Sequence, residues 1–295
     1  MNVLNEATTR EPDVSELRER AAGVLETALR FIELHGNQLS QCRARILVEL
    51  EPVERGLSLL SSYQLDDGSF RPTGQVITAP YSEALNRWDP AGAVVGTLEA
   101  ISVLSDWRRL YESCADRTIE FLGKAQRADG SWGGAGATSA EDQPLSILAT
   151  GCLAGFLGRT RSARPEILRA AGSYLGTLWS VETIRSQGWP AVAGFAHYFT
   201  NVFDDDAEAA LPWCARELER GKIVGSHTAV EVLRVLSWCE ASALPGVTFD
   251  TNLLLGEVLN EQHEDGGIGR TETSAEGRVA STLDAMSFII RLCRG

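Results

Sequence analysis

Two stretches of this chain are copies of one another, which restricts it to architectures built by stacking similar units. Residues 55–70 align with residues 117–132 without a gap, pairing Arg55 with Arg117, Leu60 with Leu122, Gln64 with Gln126, Asp67 with Asp129, Gly68 with Gly130 and Phe70 with Trp132. Gln262 to Ile268 form a weaker third copy around Gly266, and Ser186-Gln187-Gly188-Trp189-Pro190 reads as a decayed fourth. The turn glycines are 62, 58 and 78 residues apart, too long for a hairpin and right for a repeating pair of helices.

Between these turns two helical patterns alternate. Asp106 to Gln126 spaces Leu110, Cys114, Ile119 and Leu122 among charged residues, giving one apolar stripe and one wet face. Pro90 to Leu104 and Pro144 to Leu157 are apolar or small almost all round and must be covered on every side. Asp89-Pro90 and Asp142-Gln143-Pro144 supply an acidic cap and an early proline ahead of them. Strand-type alternation is nearly absent. One-sided helices alternating with fully buried ones are what two concentric rings require. The expectation is an all-α fold, an α/α toroid or (α/α)6 barrel, with buried-helix N-termini gathered around one end of a central cavity. It occupies 1–295 as a single domain, with helices in 1–50 and the repeats in 51–295.

Composition narrows the function classes. A net charge of −13 without a basic patch argues against nucleic acid. No apolar run reaches the roughly 20 residues of a membrane span, and Met1 to Ser15 is too polar for a signal peptide. A cytoplasmic protein is expected. The six cysteines lie far apart with no Cys-x-x-Cys pair, as buried free thiols do.

The repeated pattern of Arg-Gly, an apolar pair, Gln, Gly and an aromatic resembles the QW motif of squalene-hopene cyclases, oxidosqualene cyclases and the β-domains of class II terpene cyclases. The first copy carries Leu59 in the motif's aromatic slot and Phe70 at its terminal Trp, and the second has Thr118 for Gly. The resemblance spans most of the chain. In that family the motif is structural, which implies a scaffold role for Gln64, Gln126, Phe70 and Trp132.

The sharpest chemical feature is Asp204-Asp205-Asp206, preceded by Asn201-Val202-Phe203 and followed by Ala207-Glu208. Such carboxylates can simply cap a helix, accepting hydrogen bonds in its first turn. At the edge of a dry cavity, adjacent carboxylates cannot all ionise cheaply, and a retained proton becomes a Brønsted acid. The resemblance implies the second reading, because class II cyclases protonate an alkene or epoxide from an Asp-x-Asp-Asp-Thr-Ala motif opening an inner helix. Aligned on Ala207, the proton donor falls on Asp204 and its partner on Asp205. Val202 then stands where the first Asp should be, and Asp206 where Thr should be. Carbocation-stabilising rings would be supplied by Trp88, Trp189, Phe195, Tyr198, Phe199 and Phe203, each of which is also a plausible core residue. His227 could orient the acid or cap a helix.

Two metal readings compete weakly. Asp204-Asp205-x-x-Glu208 resembles a spacing that binds magnesium diphosphate, with no second such motif downstream. Protein prenyltransferase β-subunits share the toroid and bind zinc with an Asp two residues before a Cys, a pattern no cysteine here satisfies. The expected function is therefore protonation-initiated cyclisation or isomerisation of a small hydrophobic, prenyl-type substrate. It needs no metal or other cofactor unless a diphosphate substrate brings in magnesium. The alternatives are a binding or scaffold toroid without catalysis and a cyclase-like enzyme acting on a non-terpenoid natural-product intermediate.

Overall fold

The computed structural model describes residues 14–73, 88–89, 91–133, 142–241, 243–270 and 272–294. Thirteen helices are described: α1 (Val14–His35), α2 (Gln38–Leu47), α3 (Val53–Ser61), α4 (Ala93–Asp106), α5 (Ser113–Ala125), α6 (Gln143–Gly158), α7 (Pro165–Leu178), α8 (Val181–Gln187), α9 (Trp189–Asn201), α10 (Ala207–Ile223), α11 (Ala229–Trp238), α12 (Thr251–Asn260) and α13 (Ala275–Arg294). Among the described residues there is no β-strand, and two isolated bridges, Gln64 with Phe70 and Gln262 with Ile268, close repeated turns. None of the helices is long and apolar enough to cross a membrane.

The two helix patterns separate as the sequence requires. Every residue of α6 from Leu145 to Leu157 is buried, as is every residue of α9 from Trp189 to Phe199. By contrast α7 buries only Ile167, Ala171 and Leu175, one residue per turn. Asp89 caps α4, its Oδ2 accepting from the backbone N–H groups of Val94 at 2.8 Å and Val95 at 3.0 Å. Pro90 lies outside the described residues. The one-sided helix expected from Asp106 begins only at Ser113, because α4 runs to Asp106 and then reverses. Arg108 adopts a left-handed conformation with φ 57°, and the Arg109 N–H reaches back to the Leu104 carbonyl at 2.7 Å. That closure uses up the last carbonyls of α4 and stops the helix.

The repeated turns share one hydrogen-bond scheme. Gln64 Nε2 donates to its own turn at the Gly68 carbonyl (3.1 Å) and across to the Cys114 carbonyl of α5 (2.8 Å). Gln126 Nε2 donates to the Gly130 carbonyl and to the Ile167 carbonyl of α7, both at 2.9 Å. Gln262 Nε2 donates to the Gly266 carbonyl and to the Val24 carbonyl of α1, both at 3.1 Å. Each amide thus ties the end of one wet-sided helix to another. The residue at the motif's terminal Trp position donates its backbone N–H to a threonine on the buried helix that follows: Phe70 to Thr97 and Trp132 to Thr150 at 3.2 Å, Ile268 to Thr282 at 2.8 Å. The turn glycines Gly68, Gly130 and Gly266 have φ near +90°, and a Cβ on any of them would strike a backbone carbonyl of the clamped helix. Gly188 lacks this geometry; it joins α8 directly to α9, and Gln187 pairs with the Gln143 side chain instead.

Successive buried helices touch: α4 on α6, α6 on α9, α9 on α11, α11 on α13, and α13 on α2. The α6–α9 contact is close enough that Gly151 and Gly194 lie against each other's helix backbone. Arg43 of α2 reaches Asp106 at the end of α4 at 3.5 Å. Outside them, α1 packs on α2, α12 and α13, so the first helix of the chain lies against the last two.

Replacing Gln262 by Ala removes its bonds to Val24 and Thr27 of α1 and to Gly266, and is expected to lower the unfolding free energy by about 1–3 kcal/mol. Gln187→Ala, which touches no repeated clamp, is expected to stay within about 0.5 kcal/mol. Chemical denaturation of both variants checks this, and equal losses would contradict the clamp.

Candidate functional site

The three aspartates form a helix-opening turn in water. α9 ends at Asn201, Asp206 is the N-cap of the one-sided helix α10, and Asp205 and Asp206 are exposed. Asp204 is half-buried and both of its oxygens are engaged as acceptors. Oδ1 takes the Asp206 backbone N–H at 3.0 Å, and Oδ2 takes the Tyr198 hydroxyl at 2.8 Å. The cluster therefore opens a wet-sided helix instead of the buried helix that the cyclase motif implies. Phe203 is 97% exposed, because the chain turns outward between buried Val202 and Asp204.

The remaining candidates divide into separate places. Phe195, Tyr198 and Phe199 pack together on α9 around Trp179, with ring centroids 5.1 Å (Trp179–Phe195) and 5.4 Å (Trp179–Phe199) apart. Burial, and then the bond to Asp204, push the Tyr198 phenol well above its usual value, so it remains a donor. Trp189 is buried at the start of α9, its indole Nε1 donating to the Glu231 carbonyl at 3.0 Å. Trp88 is buried against Gly133. His227 sits against Gly221 just before the Thr228 cap of α11, and burial lowers its pKa. Asp204, Phe195, Tyr198 and Phe199 are brought together; Trp88, Trp189, Phe203 and His227 are not.

A cavity of about 1020 Å³ lies elsewhere, at the C-terminal ends of α4, α6, α11 and α13, and none of the candidate residues lines it. Its apolar wall includes Leu233, Leu236, Leu254, Phe288 and Leu292. Its polar wall is made by Asp106, Arg108, Arg159, Ser237, Glu240 and Arg291. The sequence pattern places the expected cavity at the opposite helix ends. Those N-terminal halves are filled by the fully buried Phe70, Trp132 and Ile268 of the repeated turns and by Trp189.

Beneath the cavity lies a buried charge network that the sequence reading missed. Arg234 of α11 pairs with Asp284 of α13, with Nε to Oδ2 at 2.7 Å, and reaches Asp106 at 3.5 Å. Its guanidinium lies 5.6 Å from the Trp238 ring and 5.7 Å from Phe288. The legible signal was an Arg and an Asp each set among apolar neighbours, Val232-Leu233-Arg234-Val235-Leu236 and Leu283-Asp284-Ala285-Met286, since such charges are buried only when paired. Among the described residues, no group of three or more His, Cys, Asp or Glu side chains is placed to hold a metal ion. Five of the six cysteines are buried, none in a disulfide.

No protein-family model matches this sequence, and no curated protein does. A solved structure of a protein from Actinoplanes is similar to it, with a TM-score of 0.56 and 14% identity over 93% of this chain and 100% of that one. That likeness bears on the fold alone.

Away from both the cavity and the aspartates, Glu261, against the start of α11, gives the fold a pH signature. Burial, opposed by the Ala229 N–H at 2.8 Å and reinforced by Glu231, lifts its carboxyl to about 7. The folded state then holds a proton that the unfolded chain has released, so this group's contribution to stability falls as pH rises from about 4.5 to 7. Across that window the wild type is expected to lose on the order of 3 kcal/mol relative to Glu261→Gln. Denaturation of both proteins at several pH values measures the difference, and parallel profiles would contradict it.

Proposed function

We propose that the helices form two concentric rings, an α/α toroid similar to the terpenoid-cyclase superfamily, and that the protein binds a small hydrophobic molecule in its cavity without transforming it. The buried set α2, α4, α6, α9, α11 and α13 makes the inner ring, and the wet-sided helices the outer one. The run of contacts along the buried helices supports this arrangement, and the repeated Gln clamps support the resemblance.

The observation that carries the binding reading is the separation between the roughly 1020 Å³ cavity and the acid cluster. An acid that initiates a carbocation must face its substrate across a water-free gap. Asp205 and Asp206 face solvent, and Asp204 spends both oxygens on Tyr198 and the backbone. The cavity has the size and mixed lining of an ordinary small-molecule site, at the upper end of the roughly 300–1,000 Å³ such sites span. Acid-initiated cyclisation is kept as a second reading by one contact, the 2.8 Å bond that joins Asp204 to the aromatic group on α9.

Incubation with squalene and with farnesyl and geranylgeranyl diphosphates, with and without magnesium, is expected to return each compound unchanged. Asp205→Asn is expected to leave binding of any hydrophobic ligand unaltered. A cyclic product that disappears in Asp204→Asn or Asp205→Asn would overturn the binding reading in favour of catalysis.

A further inference from the structure

The charges around the cavity identify what its ligand carries. Three arginines, Arg108, Arg159 and Arg291, line it with two carboxylates, Asp106 and Glu240. Both carboxylates are already paired. Asp106 serves Arg43 and Arg234 beneath the floor, and Glu240 serves Arg159. Among the described residues, Arg108 and Arg291 meet no carboxylate, and Arg291 donates only to the Ser237 hydroxyl at 3.2 Å. The unpaired charge here is positive, in a chain whose net charge is −13. The crowding of cations reaches inward: burial first, and then Arg43 and Arg291, lower the Arg234 pKa to about 10 against the opposing pull of Asp106.

The backbone supplies an independent observation. Arg108 and Glu240 both line the cavity, and both hold left-handed φ angles, 57° and 50°, in helix-closing turns where glycine is favoured. In each turn the next residue's N–H reaches back into the helix, Arg109 to Leu104 at 2.7 Å and Ala241 to Leu236 at 3.0 Å. A charged side chain at such a position costs backbone strain, and residues that carry such strain gather at ligand sites. The helix C-termini gathered here favour cations, but each amounts to about half a charge that fades within one turn. These back-bonds satisfy carbonyls at the ends of α4 and α11, so capping them does not account for Arg108 or Arg291.

From this geometry we infer that the cavity holds an amphiphile with one anionic head, a carboxylate or a phosphate. Arg108 and Arg291 engage the head, and Leu233, Leu236, Leu254, Phe288 and Leu292 receive the chain. The inference rests on the binding reading above and adds the chemistry of the ligand.

Three probes of one chain length test it: dodecanoate, dodecanol and dodecylammonium, each titrated below its aggregation limit and followed by calorimetry. Dodecanoate is expected to bind about tenfold more tightly than either of the others, the scale of a charged hydrogen bond. Arg108→Gly is expected to remove most of that advantage while keeping or raising the melting temperature, because glycine relaxes the turn. Arg291→Gln, which leaves the turn alone, is expected to weaken dodecanoate and spare dodecanol. Equal binding of dodecanoate and dodecanol would overturn the anionic head and leave the hydrophobic site standing. Preference for dodecylammonium would also overturn it. Binding of none of the three would remove the hydrophobic site itself, and the anionic head with it.

Discussion

A glutamine amide that donates both to its own turn and to the backbone of a neighbouring helix is the interaction on which this structure depends. It recurs at Gln64, Gln126 and Gln262, linking α3 to α5, α5 to α7 and α12 to α1. Each half-buried amide fixes a distance and an angle between two helices as well as adding about 1 kcal/mol. The clamp at Gln262 differs in consequence because its partner is Val24, 238 residues away. Through it the first described helix is tied to the last repeat. Without α1, the apolar side of α13 and the acceptors around Gln262 would face water.

The repeat was legible because its Gln, Asp and Gly recur at fixed short spacings, which backbone geometry demands: only glycine fits φ near +90° against a carbonyl. The threonines that receive the N–H groups of Phe70, Trp132 and Ile268 were not, because they lie 27, 18 and 14 residues downstream, with loops of different length between. The role of α1 was hidden for the same reason at a larger scale. The Gly188 copy misled in the opposite direction. Its sequence keeps a Gln and a Gly, adjacent instead of four residues apart as in the repeats, and its geometry is a plain junction between two helices.

The candidate site was read less well, and the cause lies in how the two kinds of signal work. A run of three aspartates is conspicuous in sequence, yet carboxylates serve equally in a helix-opening turn, which is how Asp204 acts here, its Oδ1 accepting the N–H of the N-cap residue Asp206. Arg108, Arg159 and Arg291 are inconspicuous, because they come from three separate parts of the chain and converge only through the way the helices end. Nor could the left-handed turns at Arg108 and Glu240 be anticipated, since the glycine that normally marks them is absent. The buried Arg234–Asp284 pair sits between these cases. It was visible as two misplaced charges, and its consequence is that α11 and α13 can take only one register, since sliding either helix would leave a charge unpaired in the core.

The most direct test of the closing clamp is native-state hydrogen exchange across the two ends of the chain. If Gln262 joins α1 to the last repeat, the amides of α1 and of α12–α13 will exchange through a single opening, with equal free energy and equal dependence on added denaturant, although they are more than 200 residues apart. Exchange of α1 at a much lower free energy, with α12–α13 still protected, would show that the first helix is an appendage and that the repeats hold together without it.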